Sequence, residues 1–116
     1  MNFCKSGLAL IETEGAAILA LTQQINTHFE TACQLLFACE GRIIVTGMGK
    51  SGHIGKKIAA TLASTGSPAF FMHPGEANHG DLGMVTTKDI ILAISNSGQT
   101  NEIISLLPHL KRLEVP

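Results

Sequence analysis

The sequence predicts an α/β domain in which a parallel sheet is flanked by helices, and three observations carry the prediction. Ile43-Ile44-Val45 and Ile90-Ile91-Leu92-Ala93-Ile94 are continuous apolar runs rich in β-branched residues, the pattern of strands covered on both faces. Each leads through a short glycine- or serine-rich loop into a stripe of helical periodicity. Between them Ala69-Phe70-Phe71-Met72 supplies a further strand, and this alternation calls for parallel pairing through right-handed crossovers.

Taken in order, the chain opens with two helices. Leu8, Ile11, Ala16, Leu19 and Leu21 are spaced loosely for an amphipathic helix between Gly7 and Ile25. Thr27 followed by Glu30 has the form of a capping box, Phe29, Cys33, Leu36 and Phe37 repeat at helical spacing, and Gly41 is expected to stop that second helix. After the first strand, Ile54, Ile58, Ala59 and Leu62 draw a stripe that ends near Gly66. Residues 73–88 read as a long polar loop with a turn of helix. Beyond the third strand a helix runs from Asn101 toward Arg112, with Pro108 expected to break it. Val115-Pro116 reads as the lead-in to a fourth strand, so the sheet is expected to be truncated after its third strand and the helix that follows. The expected organisation is N-terminal helices over 1–40 and a partial sheet domain over 41–116.

Composition narrows the function. The 116 residues are 45% hydrophobic and carry a formal net charge of -1 from 8 basic and 9 acidic side chains, a balance with no footprint for nucleic acid or an anionic membrane. Tyr and Trp are absent, which removes the usual stacking platforms for bases. No apolar run nears the roughly 20 residues of a membrane span and the start lacks a signal-peptide build, so a cytoplasmic protein is expected. Cys4, Cys33 and Cys39 are odd in number and show no C-x-x-C spacing, and are read as buried or inert thiols.

Two loops carry the chemistry. Gly47-x-Gly49-x-x-Gly52 matches a dinucleotide fingerprint, yet no acidic residue ends the second strand to hold a ribose. A nucleotide P-loop fails on spacing, since its first glycine would fall at Ile44. What survives, beside a mere tight turn, is a helix N-terminus whose amides and Ser51 hydroxyl suit an anion. Ser95, Ser97 and Thr100 then place three hydroxyls within six residues, after a buried strand and before a helix. In open parallel sheets that rim binds ligands, and its helix amides favour a phosphate.

Three motifs now agree in order and spacing: residues 47–55 (GMGKSGHIG), residues 73–84 (HPGEANHGDLGM), and Ser95-Asn96-Ser97-Gly98. Together they closely resemble the arabinose 5-phosphate isomerases built on a sugar isomerase (SIS) domain, over Gly41 to about Leu113. The resemblance implies a flavodoxin-like SIS fold. It further implies interconversion of D-ribulose 5-phosphate and D-arabinose 5-phosphate, a step toward the eight-carbon acid sugar of lipopolysaccharide, and a homo-oligomer, dimer or tetramer. It implies Lys50, His79 and Glu102 as catalytic residues, with Ser51, Gly66, Ser67, His79, Ser95, Ser97 and Thr100 at the substrate. No cofactor is required, although His73 could hold an inhibitory zinc.

Each of these side chains has a plainer reading. Lys50 could be a solvated surface lysine, His79 a histidine bonded to loop backbone, and Glu102 an acid placed by the helix dipole. The alternatives to an enzyme are a SIS module that senses a phosphosugar without catalysis and, further off, a dinucleotide-binding domain.

Overall fold

The computed structural model describes residues 1–116, which divide into two compact units, Met1–Gln34 and Leu35–Pro116. The boundary falls inside the second helix.

In the first unit α1 spans Phe3–Ala20 and continues as a 3-10 turn, Leu21–Gln24, so the helix starts and ends earlier than its periodicity indicates. Asn2 caps it by accepting from the Lys5 amide at 2.9 Å. The loose spacing of its apolar residues has a counterpart: α1 buries none of them. Helix α2, Thr27–Phe37, corrects the expected capping box. Asn26 is the cap, its Oδ1 accepting from the amides of His28 (3.0 Å) and Phe29 (3.3 Å), while Thr27 lies inside the helix. Asparagine is as good a cap as threonine, and the residue one step earlier won. Cys4 and Cys33 are exposed rather than buried, whereas Cys39 is half-buried and packs against Ile43, Val45 and Ala59.

The second unit is the parallel sheet. Strands β1 (Ile43–Gly47), β2 (Ala69–Phe71) and β3 (Ile90–Ile94) stand in the order β2-β1-β3, with Ile43 opposite both Ala69 and Ile90. Every residue of β1 is buried, as its unbroken apolar run requires of a central strand. Ile44 packs with Met72, Ala77, Val85, Leu106 and Leu110 on one face, Ile43 and Val45 with Ala59 on the other. Full burial of such a side chain is worth about 1.5–3 kcal/mol.

Helix α3, Gly49–Ser64, covers the Val45 face. Its inward stripe keeps Ala59, with Ile58 and Leu62 packed against the same cluster, but Ile54 is 58% exposed and Gly52 and Gly55 are buried in its stead. A Cβ at Gly52 would lie 2.6 Å from the Gly47 carbonyl oxygen, and one at Gly55 would lie 3.1 Å from the Phe71 ring, so glycine lets helix and sheet approach closely. The helix closes on Gly66 (φ 101°), with the Ser67 amide donating to the Leu62 carbonyl at 2.9 Å in the Schellman pattern.

Gly41 has a different task from the expected helix stop. The helix ends at Phe37, and Gly41 lies so near the third-strand entrance that a Cβ would come 2.5 Å from Asp89 Oδ1 and 2.6 Å from the Lys88 carbonyl. Here Asp89, 1% exposed, accepts from the amides of Arg42 and Thr86, each at 2.8 Å, and from the Arg42 guanidinium at 3.3 Å. This latch fixes the start of β1 against the start of β3.

The other face carries α4 (Pro74–Asn78), a 3-10 turn Asp81–Met84, α5 (Asn101–Ile104) and α6 (Leu107–Arg112). The expected break at Pro108 is real: α6 restarts with proline in its first turn. Pro116 runs beside β3, where its carbonyl accepts from the Ile91 amide at 2.9 Å.

Candidate functional site

All three strands are parallel, so the loops that leave β1, β2 and β3 emerge on one rim, and each carries residues singled out by the sequence.

The first is tighter than expected. Helix α3 begins at Gly49 (φ 56°), which places Lys50, Ser51 and Gly52 in its first turn rather than in a preceding loop. Met48 enters in extended conformation without a side-chain cap, so the first-turn amides of α3 are left for a ligand or solvent. Ser51 is half-buried and Lys50 exposed.

After β2, His73 caps α4: its Nδ1 accepts from the Gly75 amide at 3.0 Å, and Pro74 follows at the first helical position. That bond occupies one of the two ring nitrogens. No group of three or more His, Cys, Asp or Glu side chains of this chain is gathered around a point that could hold a metal ion. His79 is the C-cap of α4, exposed and ahead of Gly80, whose φ of 132° turns the chain away.

The third loop folds itself. Ser95 Oγ lies 2.8 Å from Thr100 Oγ1 and accepts from the Gly98 amide at 3.0 Å, Ser97 Oγ accepts from the Gln99 amide at 3.1 Å, and Gly98 takes a φ of 67°. The three hydroxyls therefore hold the loop in an open hook as well as presenting polar atoms. The Ser97 hydroxyl proton is not used in these bonds and can be donated outward. Glu102 follows in α5, exposed on its first turn.

Two features tie the rim together. Gly47, Gly49, Gly52, His53, Lys56, Phe71 and His73 line one cavity, joining the first loop to the second. Asn78 Nδ2 reaches Ser105 Oγ (3.0 Å) and the Glu102 carbonyl (3.4 Å), joining the second to the third. His53 and Lys56 were given no role by sequence reasoning. His53 follows Gly49 by one helical step of four and Lys56 follows His53 by one of three, which sets them on one face of α3; that spacing is the signal that could have found them. Lys56 Nζ stands 5.4 Å from the Phe71 ring centroid.

Two of the expected residues do not join this rim. Gly66 and Ser67 precede β2, at the opposite end of the sheet, where they line a groove with Leu36, Phe37, Cys39, Gly41, Ile43 and Pro68. Nor do Lys50, His79 and Glu102 pair with one another: the chain's one salt bridge is Arg42 to Asp89.

Comparison with known proteins decides the family. Residues 36–116 match the model of the SIS domain. The chain belongs to the SIS domain family. Over 115 residues it is 56% identical to the arabinose 5-phosphate isomerase KdsD of Yersinia pestis and, equally, to that of Escherichia coli K12. Those alignments take in 99% of this chain and 35% of each relative, so the chain spans about a third of the length of the curated relatives it matches. Among solved SIS relatives, an E. coli CFT073 protein in complex with arabinose 5-phosphate superposes with a TM-score of 0.88 at 41% identity, covering 99% of this chain and 63% of that one. The predicted SIS fold with its parallel sheet is thus the fold observed. No helix is long and apolar enough to cross a membrane.

Proposed function

We propose that this SIS domain is part of an aldose-ketose isomerase that interconverts D-ribulose 5-phosphate and D-arabinose 5-phosphate, supplying the precursor of the eight-carbon acid sugar of lipopolysaccharide. The reading is carried by one observation: a hydroxyl-rich loop, an uncapped helix N-terminus with Lys50, and the segments bearing His79 and Glu102 all leave the same rim of a parallel sheet. The identity to arabinose 5-phosphate isomerases supports it.

The chemistry is an internal redox exchange that needs no outside oxidant. A base removes a proton from C1 of the ketose, the electrons form an enediolate across C1 and C2, and a proton returns to C2, leaving an aldehyde at C1. Glu102 is the base. Lys50 steadies the developing enediolate or the phosphate by charge. His79, an imidazole able to give and take protons near neutral pH, shuttles the proton between O1 and O2. Ser95, Ser97 and Thr100, with Ser51 and the first-turn amides of α3, hold the phosphate so that the reacting carbons meet these groups in one orientation.

A phosphosugar sensor would need the hydroxyl loop alone, and a base, an imidazole and a lysine on the same rim argue for turnover. The test is a coupled assay of ribulose 5-phosphate conversion by the full-length protein. Turnover supports the enzyme; binding without turnover in a folded sample leaves the sensor. A thermal shift with NAD that phosphosugars fail to produce would instead favour a dinucleotide site.

A further inference from the structure

The last helical residue before His79 and a serine one turn beyond Glu102 are joined by hydrogen bonds that the isomerase mechanism does not itself use. Asn78 Nδ2 donates to the Pro74 carbonyl of its own helix at 3.1 Å and lies 3.0 Å from Ser105 Oγ. Ser105 Oγ in turn lies 2.9 Å from the Glu102 carbonyl, and Asn78 Nδ2 lies 3.4 Å from that same oxygen. One amide hydrogen of Asn78 goes back to Pro74 and the other across to Ser105, while the single Ser105 hydroxyl hydrogen is offered two acceptors, the Glu102 carbonyl at 2.9 Å and Asn78 Oδ1 at 3.2 Å. Asparagine suits the position because the amide offers two donors on one short stem, which neither aspartate nor alanine can supply.

These bonds matter because of what they join. Asn78 precedes His79 directly, and α4 is only five residues long. Glu102 sits in a helix of four. Helices this short have little rigidity of their own, since most of their terminal amides and carbonyls lack partners within the helix. Resting on the isomerase reading above, we propose that Asn78 and Ser105 are positioning residues that set the His79 segment against the Glu102 turn. Neither touches the sugar; both fix the spacing between base and imidazole.

Misplacement of a reacting group by about 1 Å can cost on the order of 100-fold in rate. In the full-length protein Asn78→Ala is therefore expected to lower kcat about 10- to 100-fold, with KM for ribulose 5-phosphate changed less than about 3-fold. Ser105→Ala is expected to fall in the same direction and Ser105→Thr, which keeps the hydroxyl, to recover most of the rate. The double variant Asn78→Ala/Ser105→Ala should be little worse than Asn78→Ala alone, since both cut one chain. Wild-type kcat in Ser105→Ala, or a loss that threonine does not recover, overturns the proposal. So does a loss matched by a parallel fall in melting temperature, which marks mere stabilisation. If Asn78→Ala does not fold, the Ser105 pair decides alone. If the wild-type protein proves not to isomerise, the isomerase reading fails separately, and the NMR resonance of the His79 imidazole then decides the positioning role. It should move in Ser105→Ala and not in Ser105→Thr, and a resonance unmoved in both overturns the inference.

Discussion

Replacing Asp89 with alanine tests how the sheet is held together. The carboxylate accepts two backbone amides, Arg42 N at Oδ1 and Thr86 N at Oδ2, both at 2.8 Å, and its removal leaves both without a partner. An amide left unpaired away from water costs about 1–3 kcal/mol, and water can reach part of this site, so the lower half of that range applies to each, about 2–4 kcal/mol together. The ion pair adds little, because the Arg42 side chain is 42% exposed and such pairs are worth about 0–1 kcal/mol. For a unit of this size the loss corresponds to a fall in melting temperature on the order of 10–20 °C. Acid should act in the same way. Burial alone would raise the Asp89 pKa, but bonds from the Thr86 and Arg42 amides and from the Arg42 and Thr86 side chains outweigh it and hold it below the ordinary 3.8. A lowered folded pKa means the carboxylate stabilises the fold above pH 3.8, and that contribution is lost as pH falls through its lowered value. Thermal melts of wild type and Asp89→Ala, followed by circular dichroism from pH 7 down to the acid limb, check both statements. A difference at neutral pH within about 0.5 kcal/mol, the scale of a neutral surface change, or a gap that does not narrow in acid, refutes the latch.

The chemical roles give sharper outcomes. Lys50→Ala and Glu102→Gln are each expected to lower turnover at least roughly 100-fold, the scale of a positioned acid or base, and a near wild-type rate in steady-state kinetics removes that residue from its role. Ser97→Ala should raise KM with a smaller loss in kcat, as expected of a phosphate contact shared by ground and transition states; an unchanged KM removes Ser97 from the anchor. Gly52→Ala would set a methyl 2.6 Å from the Gly47 carbonyl, so the first turn of α3 must move. A loss of about 1–3 kcal/mol in a denaturant melt, with weaker substrate binding, is the expected result.

Much of this was legible in the sequence because it depends on local pattern. β3 fell on Ile90–Ile94, and Pro108 broke the last helix for the reason that proline must. The errors share a cause of a different kind. Gly41 looks like a helix stop until Asp89 and Lys88, nearly fifty residues away, are seen to crowd its α-carbon. Ile54 belongs to the periodic stripe of α3 and Ile58, Ala59 and Leu62 do pack on the sheet, yet at its first turns the helix meets the sheet along Gly52 and Gly55, where close approach excludes a larger side chain. The capping box was displaced by one residue because Asn26 competes with Thr27 on equal terms. At the site, Lys50 was expected in a loop and lies in the first turn of α3, and the bonds linking Asn78 to Ser105 join residues 27 apart and leave no trace in spacing.

The most direct test of the central claim is to incubate the full-length protein with D-ribulose 5-phosphate in deuterated water and follow the sugar by NMR. An enediol isomerase working through an exchangeable carboxylate predicts arabinose 5-phosphate carrying deuterium at C2, with conversion falling at least roughly 100-fold in Glu102→Gln. A sugar that binds but emerges unconverted and undeuterated would contradict the account and leave the rim as a phosphosugar sensor.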